Sequence, residues 1–303
     1  EQTFTVFVDT QPPQTNVSVT PSYWTETTIW INANSSFTLT TKDNGEIPSG
    51  VAGVEYKVDI YAWKPYTEPF NISAYGPEKH SVFYRSTDKF ANKEEPKGIV
   101  VTQDNIPPET TVVPDKQLYS ADNKYFASTD DYITFVTQDS QSGPEKIQYS
   151  VNGSSSVTYD TRRISFTAEG EYSIKYFAAD KVENIETPKT YILIIDTTPP
   201  ATSINAGFPQ FIRENKLWVT GLTTFTLTAL DGGSIPSGTK YSASSPAQQD
   251  IEYKIDDTGW RQYNTAFDLT GQIEGAHTIY YRATDNVGNT EPEKEQKIII
   301  DNT

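Results

Sequence analysis

The chain contains no cysteine, so disulfide staples, thiol nucleophiles and cysteine-ligated metals are excluded and the fold must be held by packing alone. Histidine is scarce as well, with only His80 and His277. No apolar run approaches the roughly 18 residues needed to cross a bilayer, and no membrane insertion is expected of this segment. No secretory signal pattern opens the chain, which therefore reads as a soluble piece of a longer protein. Basic residues number 24 against 40 acidic ones, a formal net charge of −16, and a phosphate backbone is an unsuitable partner for such a surface.

Aromatic residues are plentiful. They make up 13% of a chain that is only 35% apolar, with 19 Tyr and 14 Phe. That balance favours thin sandwiches built on aromatic strands over one large α/β core.

Internal repetition sets the organisation. VDTQPPQT at 8–15 recurs as QDNIPPET at 103–110 and IDTTPPAT at 195–202, and the chain ends on IDNT. The intervals between Asp9, Asp104, Asp196 and Asp301 are 95, 92 and 105 residues, each the size of one sandwich of about 100 residues and seven strands. A gapless shift of 197 carries Glu55, Tyr56, Lys57, Asp59, Trp63, His80, Arg85 and Asp88 onto Glu252, Tyr253, Lys254, Asp256, Trp260, His277, Arg282 and Asp285. The middle repeat is a shorter cousin, and the third carries about nine extra residues around Tyr241 to Gln249. The expected division is 1–9 as the last strand of a preceding repeat, then repeats at 10–104, 105–196 and 197–303.

Strand periodicity agrees. Phe37 and Leu39, like Phe225 and Leu227, alternate with Thr, and turn signals such as Asn152-Gly153 and Val287-Gly288-Asn289 separate the runs. The expected fold is all-β: three tandem Ig-like, E-set-like antiparallel β-sandwiches in an elongated array, a monomeric rod. Pro-Pro pairs at 12–13, 107–108 and 199–200 predict short, stiff linkers.

The strings FTLTALDGGS, IEYKIDDTGWRQY, GAHTIYYRATDNVGNTEPE and IIIDNT resemble the Ig-like repeats of bacterial surface proteins, including the leptospiral outer-membrane-protein-L type and modules appended to secreted glycosidases. The resemblance covers nearly the whole chain and is weakest in the middle repeat, where VENIE stands for VGNTE. It implies an extracellular or cell-surface bacterial β-sandwich used as spacer or adhesive module.

Catalysis is not expected. His80 and His277 occupy one repeat position that Tyr172 fills in the middle copy, and no triad, phosphate-cradling glycine loop or HExxH appears. Two functions stay open: a spacer or adhesive array binding an extracellular protein, or carbohydrate-binding or spacer modules attached to an extracellular enzyme. Trp30 and Trp63 have counterparts in Trp218 and Trp260 and read as scaffold. Trp24 has none, so Tyr23 and Trp24 are the candidate ligand contacts.

No cofactor is required, but the acidic residues suggest calcium. In a seven-stranded sandwich the loops after the second and sixth strands share an end with the incoming linker. The first repeat would gather Asp9, Asp43, Asp88, Asn92 and Glu94, and the second Asp104, Asp139, Asp180, Asn184 and Glu186. The third would gather Asp196, Asp231, Asp285, Asn289 and Glu291. Such all-oxygen sets suit calcium far better than zinc. The competing reading is that these residues make Asx-turns and cap strand ends.

Overall fold

The computed structural model describes residues 2–238, 241–242 and 245–303, without the side chains of 241–249. Apart from one 3-10 turn at Ser73–Tyr75, every regular element among the described residues is a strand. No helix among the described residues is long and apolar enough to cross a membrane.

The third repeat shows the plan. Ala201–Ala206 pairs antiparallel with Phe225–Leu230 in one layer, extended by a bridge from Phe225 to Phe267. The facing layer has six strands, in the order Gln210–Arg213, Lys216–Val219, Lys294–Ile300, Gly275–Ala283, Ile251–Ile255 and Arg261–Gln262. Side chains of a strand alternate between faces. Phe225, Leu227 and Ala229 therefore point inward against Ile279, Tyr281, Ala283, Ile298 and Ile300, while Thr226 and Thr228 face water. Burying a side chain such as Phe225 contributes about 2–3 kcal/mol.

The middle repeat repeats both layers, with Glu109–Pro114 on Ile133–Gln138 and a six-stranded sheet opposite. In the first repeat Gln14–Trp24 and Ile29–Lys42 run through both layers as single long strands, bending at an irregularity between Thr20 and Ser22. In every repeat the last strand pairs in parallel with an early one, as Leu217 to Val219 do with Ile298 to Ile300.

Among the described residues the two layers of each later repeat thus hold two and six strands, eight where seven were expected. Two of the six form a hairpin beyond the opening strand, turned by Asp122-Asn123 or Glu214-Asn215, all at positive φ. Two consecutive left-handed residues make the turn type whose twist suits a tight hairpin. The insertion of the third repeat lies partly outside the described residues; Tyr241–Ser242 pairs there with Ser245–Gln249. Residues 2–9, expected as a strand, have no strand partner, and Phe4, Val6, Phe7 and Val8 are exposed.

Candidate metal centres

The sheets converge on one residue at each linker. The amide of Asp104 donates to Ile31 O (2.7 Å) and so extends the last sheet pairing of the first repeat. Its carboxylate accepts the Ser142 amide (2.9 Å), and its carbonyl accepts the Asn184 side-chain amide (2.8 Å), both in the second repeat. Asp196 does the same one repeat later, with its amide on Ala127 O and its carboxylate and carbonyl held by Ser237 and Asn289. Asp9 likewise accepts from Ser49 and Asn92.

Each linker aspartate stands in a trio. One oxygen from each of Asp9, Asp43 and Asp88 lies within 4.8 Å of the others, and the same holds for Asp104, Asp139 and Asp180 and for Asp196, Asp231 and Asp285. The second member follows the strand that ends at Lys42, Gln138 or Leu230. One of its oxygens accepts the amide of Gly50, Gly143 or Gly238. The third member opens a tight turn. Asp180 Oδ1 accepts the amides of Val182 and Asn184, and Oδ2 accepts the Asn184 side chain; Asp88 and Asp285 are held alike. Asn92, Asn184 and Asn289 therefore lock the trio by joining its turn residue to the linker carbonyl.

Electrostatic crowding is evident in two trios. Burial and the neighbouring charges of Asp196, Asp285 and Glu169 push the Asp231 carboxyl up to about 6, despite the Gly238 amide. Asp180 and Asp285 are also raised, first by burial and then by Asp104 and Asp196 respectively. Asp9 is lowered, first by the Ser49 side chain and then by the Ser49 amide, although the Ser49 hydroxyl makes no hydrogen bond.

Glu94, Glu186 and Glu291, grouped with these stations by spacing, do a different job. Glu186 accepts the amides of Thr110 (2.8 Å) and Ala178 (3.1 Å), while Lys189 bridges its carboxylate (2.8 Å) and donates to Thr110 O (2.8 Å). The Glu-Lys pair thus clamps both backbone polar groups of one opening-strand residue. Glu94 with Lys97 holds Thr15, and Glu291 with Lys294 holds Thr202 in the same way. The signal was present as Glu-x-x-Lys in all three copies. The serines beside the trios were equally missed, although Ser49-Gly50, Ser142-Gly143 and Ser237-Gly238 recur as dipeptides.

Tyr23 is engaged at the first junction. Lys181 sits 4.4 Å from its ring centre and donates to its hydroxyl, and Asn32 donates to Val182 O. Trp24 remains 57% exposed. At the second junction Glu169 accepts from Thr198 (2.5 Å) and from the amide and hydroxyl of Ser234, which draws its carboxyl down to about 2. Gly233, at φ +92°, leaves room there: a Cβ would come within 3.2 Å of Thr198 and Glu169.

Both histidines brace strands. His277 Nδ1 lies 2.6 Å from Asp256 and Nε2 2.8 Å from Ile273 O; His80 meets Asp59 and Gly76 O in the same way. Tyr172, their stand-in, donates to Ala168 O, the equivalent carbonyl four residues back. Asn152 there replaces the aspartate and accepts the Ser173 amide. Tyrosine with asparagine thus stands in the middle repeat where the outer repeats have histidine with aspartate.

No family model matches the chain, and no curated protein does. Among solved structures it is similar to the fibronectin(III)-like modules of CbhA from Clostridium thermocellum (15% identity, TM-score 0.37, covering 59% of this chain and 94% of that one). It is also similar to a 1.5-MDa bacterial ice-binding adhesin (12%, TM-score 0.37, 96% and 98%) and to a tetra-tandem repeat from the extending region of a large adhesion protein (13%, TM-score 0.33, 96% and 75%).

Proposed function

We propose that this chain is a non-catalytic, stiff spacer and adhesive segment of a bacterial cell-surface or secreted protein, working as a monomeric rod that binds an extracellular protein. The supporting observation is the double anchoring of Asp104 and Asp196, whose amides belong to the preceding sheet and whose carboxylates and carbonyls belong to the following repeat. With Pro-Pro following after only two residues, little backbone freedom is left between repeats. The Lys181–Tyr23 and Glu169–Ser234 contacts add side-chain restraint at the two junctions.

Small-angle scattering tests the rod. The expected radius of gyration lies well above the about 19 Å of a compact 300-residue globule, with a single narrow distribution between spin labels in adjacent repeats. A compact particle, or a broad distribution, would refute it. The alternative, a carbohydrate-binding or spacer region carried by an extracellular enzyme, is favoured by one observation, the exposed Trp24 without a counterpart in the later repeats. Glycan binding lost in Trp24→Ala would select it.

A further inference from the structure

We propose that each aspartate trio is a calcium site, so that the chain binds three calcium ions, one at the leading end of every repeat. This inference rests on the spacer reading only for its consequence, the stiffness of the junctions.

Three carboxylates in proximity do not make a site, but here they come with unsatisfied groups. In all three repeats the oxygen of the loop aspartate that does not face its glycine amide is buried from solvent and has no hydrogen-bond partner: Asp43 Oδ1, Asp139 Oδ2 and Asp231 Oδ1. The adjacent serine hydroxyl shares this condition in all three copies. Ser142 and Ser237 are each only 4% exposed, and their own amides fasten the linker carboxylates, which places the unpartnered side chains against the trios. Buried polar atoms are ordinarily satisfied, and the same lapse three times over marks a missing partner.

That partner is a cation. Elsewhere each repeat pairs its buried glutamate with a lysine at a fixed place, Lys97, Lys189 or Lys294. Among the described residues none of the nine aspartates has an ion pair with lysine or arginine, so the carboxylates of each trio meet no cation of the chain directly. The available donors are oxygens alone, carboxylate and hydroxyl. Calcium, which takes six to eight oxygens in flexible geometry, fits such a set; zinc prefers nitrogen and sulfur, and magnesium demands a near-ideal octahedron. Because Asp104 and Asp196 are shared between repeats, an ion bound there ties the leading end of one sandwich to the trailing strand of the last.

The test is calcium counting on the whole chain, by equilibrium dialysis at about 1 mM calcium, in the range typical of extracellular modules, with native mass spectrometry and melting curves. Asp139→Asn and Asp231→Asn keep the oxygen that faces the glycine amides and remove charge at the orphaned one. The parent should bind three ions, each variant two, and the double variant one. Without calcium the variants should melt no lower than the parent, the opposite of what loss of a structural turn would give. No calcium on the parent, an undiminished count in the variants, a lower melt without calcium, or retention of magnesium in preference would each overturn the proposal. Scattering separates it from the spacer reading: a calcium-free rod sinks the ions alone, and a calcium-loaded compact chain sinks the rod alone.

Discussion

Replacing Glu186 by alanine tests the clamp that closes the middle repeat. The carboxylate is 5% exposed and satisfies two buried amides, those of Thr110 and Ala178. Each buried donor left unpaired costs about 1–3 kcal/mol, while Lys189, 37% exposed, is left solvated and its lost ion pair adds at most about 1 kcal/mol. A loss of about 4 kcal/mol is therefore expected, a large part of the 5–15 kcal/mol that holds a typical domain. Urea unfolding of the whole chain should show an early transition for one repeat. Hydrogen exchange should place it in residues 105–196, led by the amides of Thr110 and Ala178. Acid supplies a second reading. Burial pushes the Glu186 carboxyl up, but Lys189 and Thr110 outweigh it and hold the carboxyl below the usual range. Its stabilisation is therefore present above about pH 4.5 and disappears as pH falls through the lower folded value, and the deficit of the variant should shrink on acidification. An unchanged midpoint, with unchanged protection at Thr110 and Ala178, would refute this account of the clamp.

His277→Tyr alone should cost about 1 kcal/mol, since Asp256 is half-exposed and the lost ion pair is partly screened; His277→Tyr with Asp256→Asn should recover it in thermal melts. Burial lowers the His277 pKa, but Asp256 and the Ile273 carbonyl raise it further, so its stabilisation is complete below about pH 6.5 and fades as pH climbs past the raised value. Trp260→Ala should destabilise the third repeat by about 1–2 kcal/mol in urea titrations, because the ring carries Arg282 at 4.3 Å and Lys254 at 4.7 Å. Lys181→Ala should leave every repeat's melting temperature in place and broaden the spin-label distances between the first two repeats.

The sandwiches were legible because duplication exposes them. The Asp-x-x-Pro-Pro punctuation marks three repeats, and the Phe37/Leu39 and Phe225/Leu227 alternation picks out the cores of the outer two without any long-range information. The trios were legible for the same reason, since a residue kept at one place in three copies must answer a need common to all three. Spacing could not assign direction. Asp88 and Glu94 lie on one hairpin, yet one carboxylate meets the linker and the other turns to the opening strand, because the chain reverses between them at Ala91 in the left-handed region. The Asp122-Asn123 and Glu214-Asn215 turns were hidden because neither contains the glycine that usually announces such a hairpin.

The Glu-Lys clamp also decides how the chain would bear a pull. Opening strand Glu109–Pro114 and closing strand Lys189–Ile195 both run from the Asp104 end of the middle repeat toward Asp196. Tension at the two ends draws these strands in opposite directions, so they must slide past one another before the sandwich can open. Thr110, gripped at its amide by Glu186 and at its carbonyl by Lys189, lies across that slide. The two strands lie in facing layers, so the load falls sideways on the clamp and on the core between the layers, not on one bond after another as in an unzipping hairpin. A tether of such repeats would therefore stretch by yielding whole domains one at a time and hold its length until the first of them gives way.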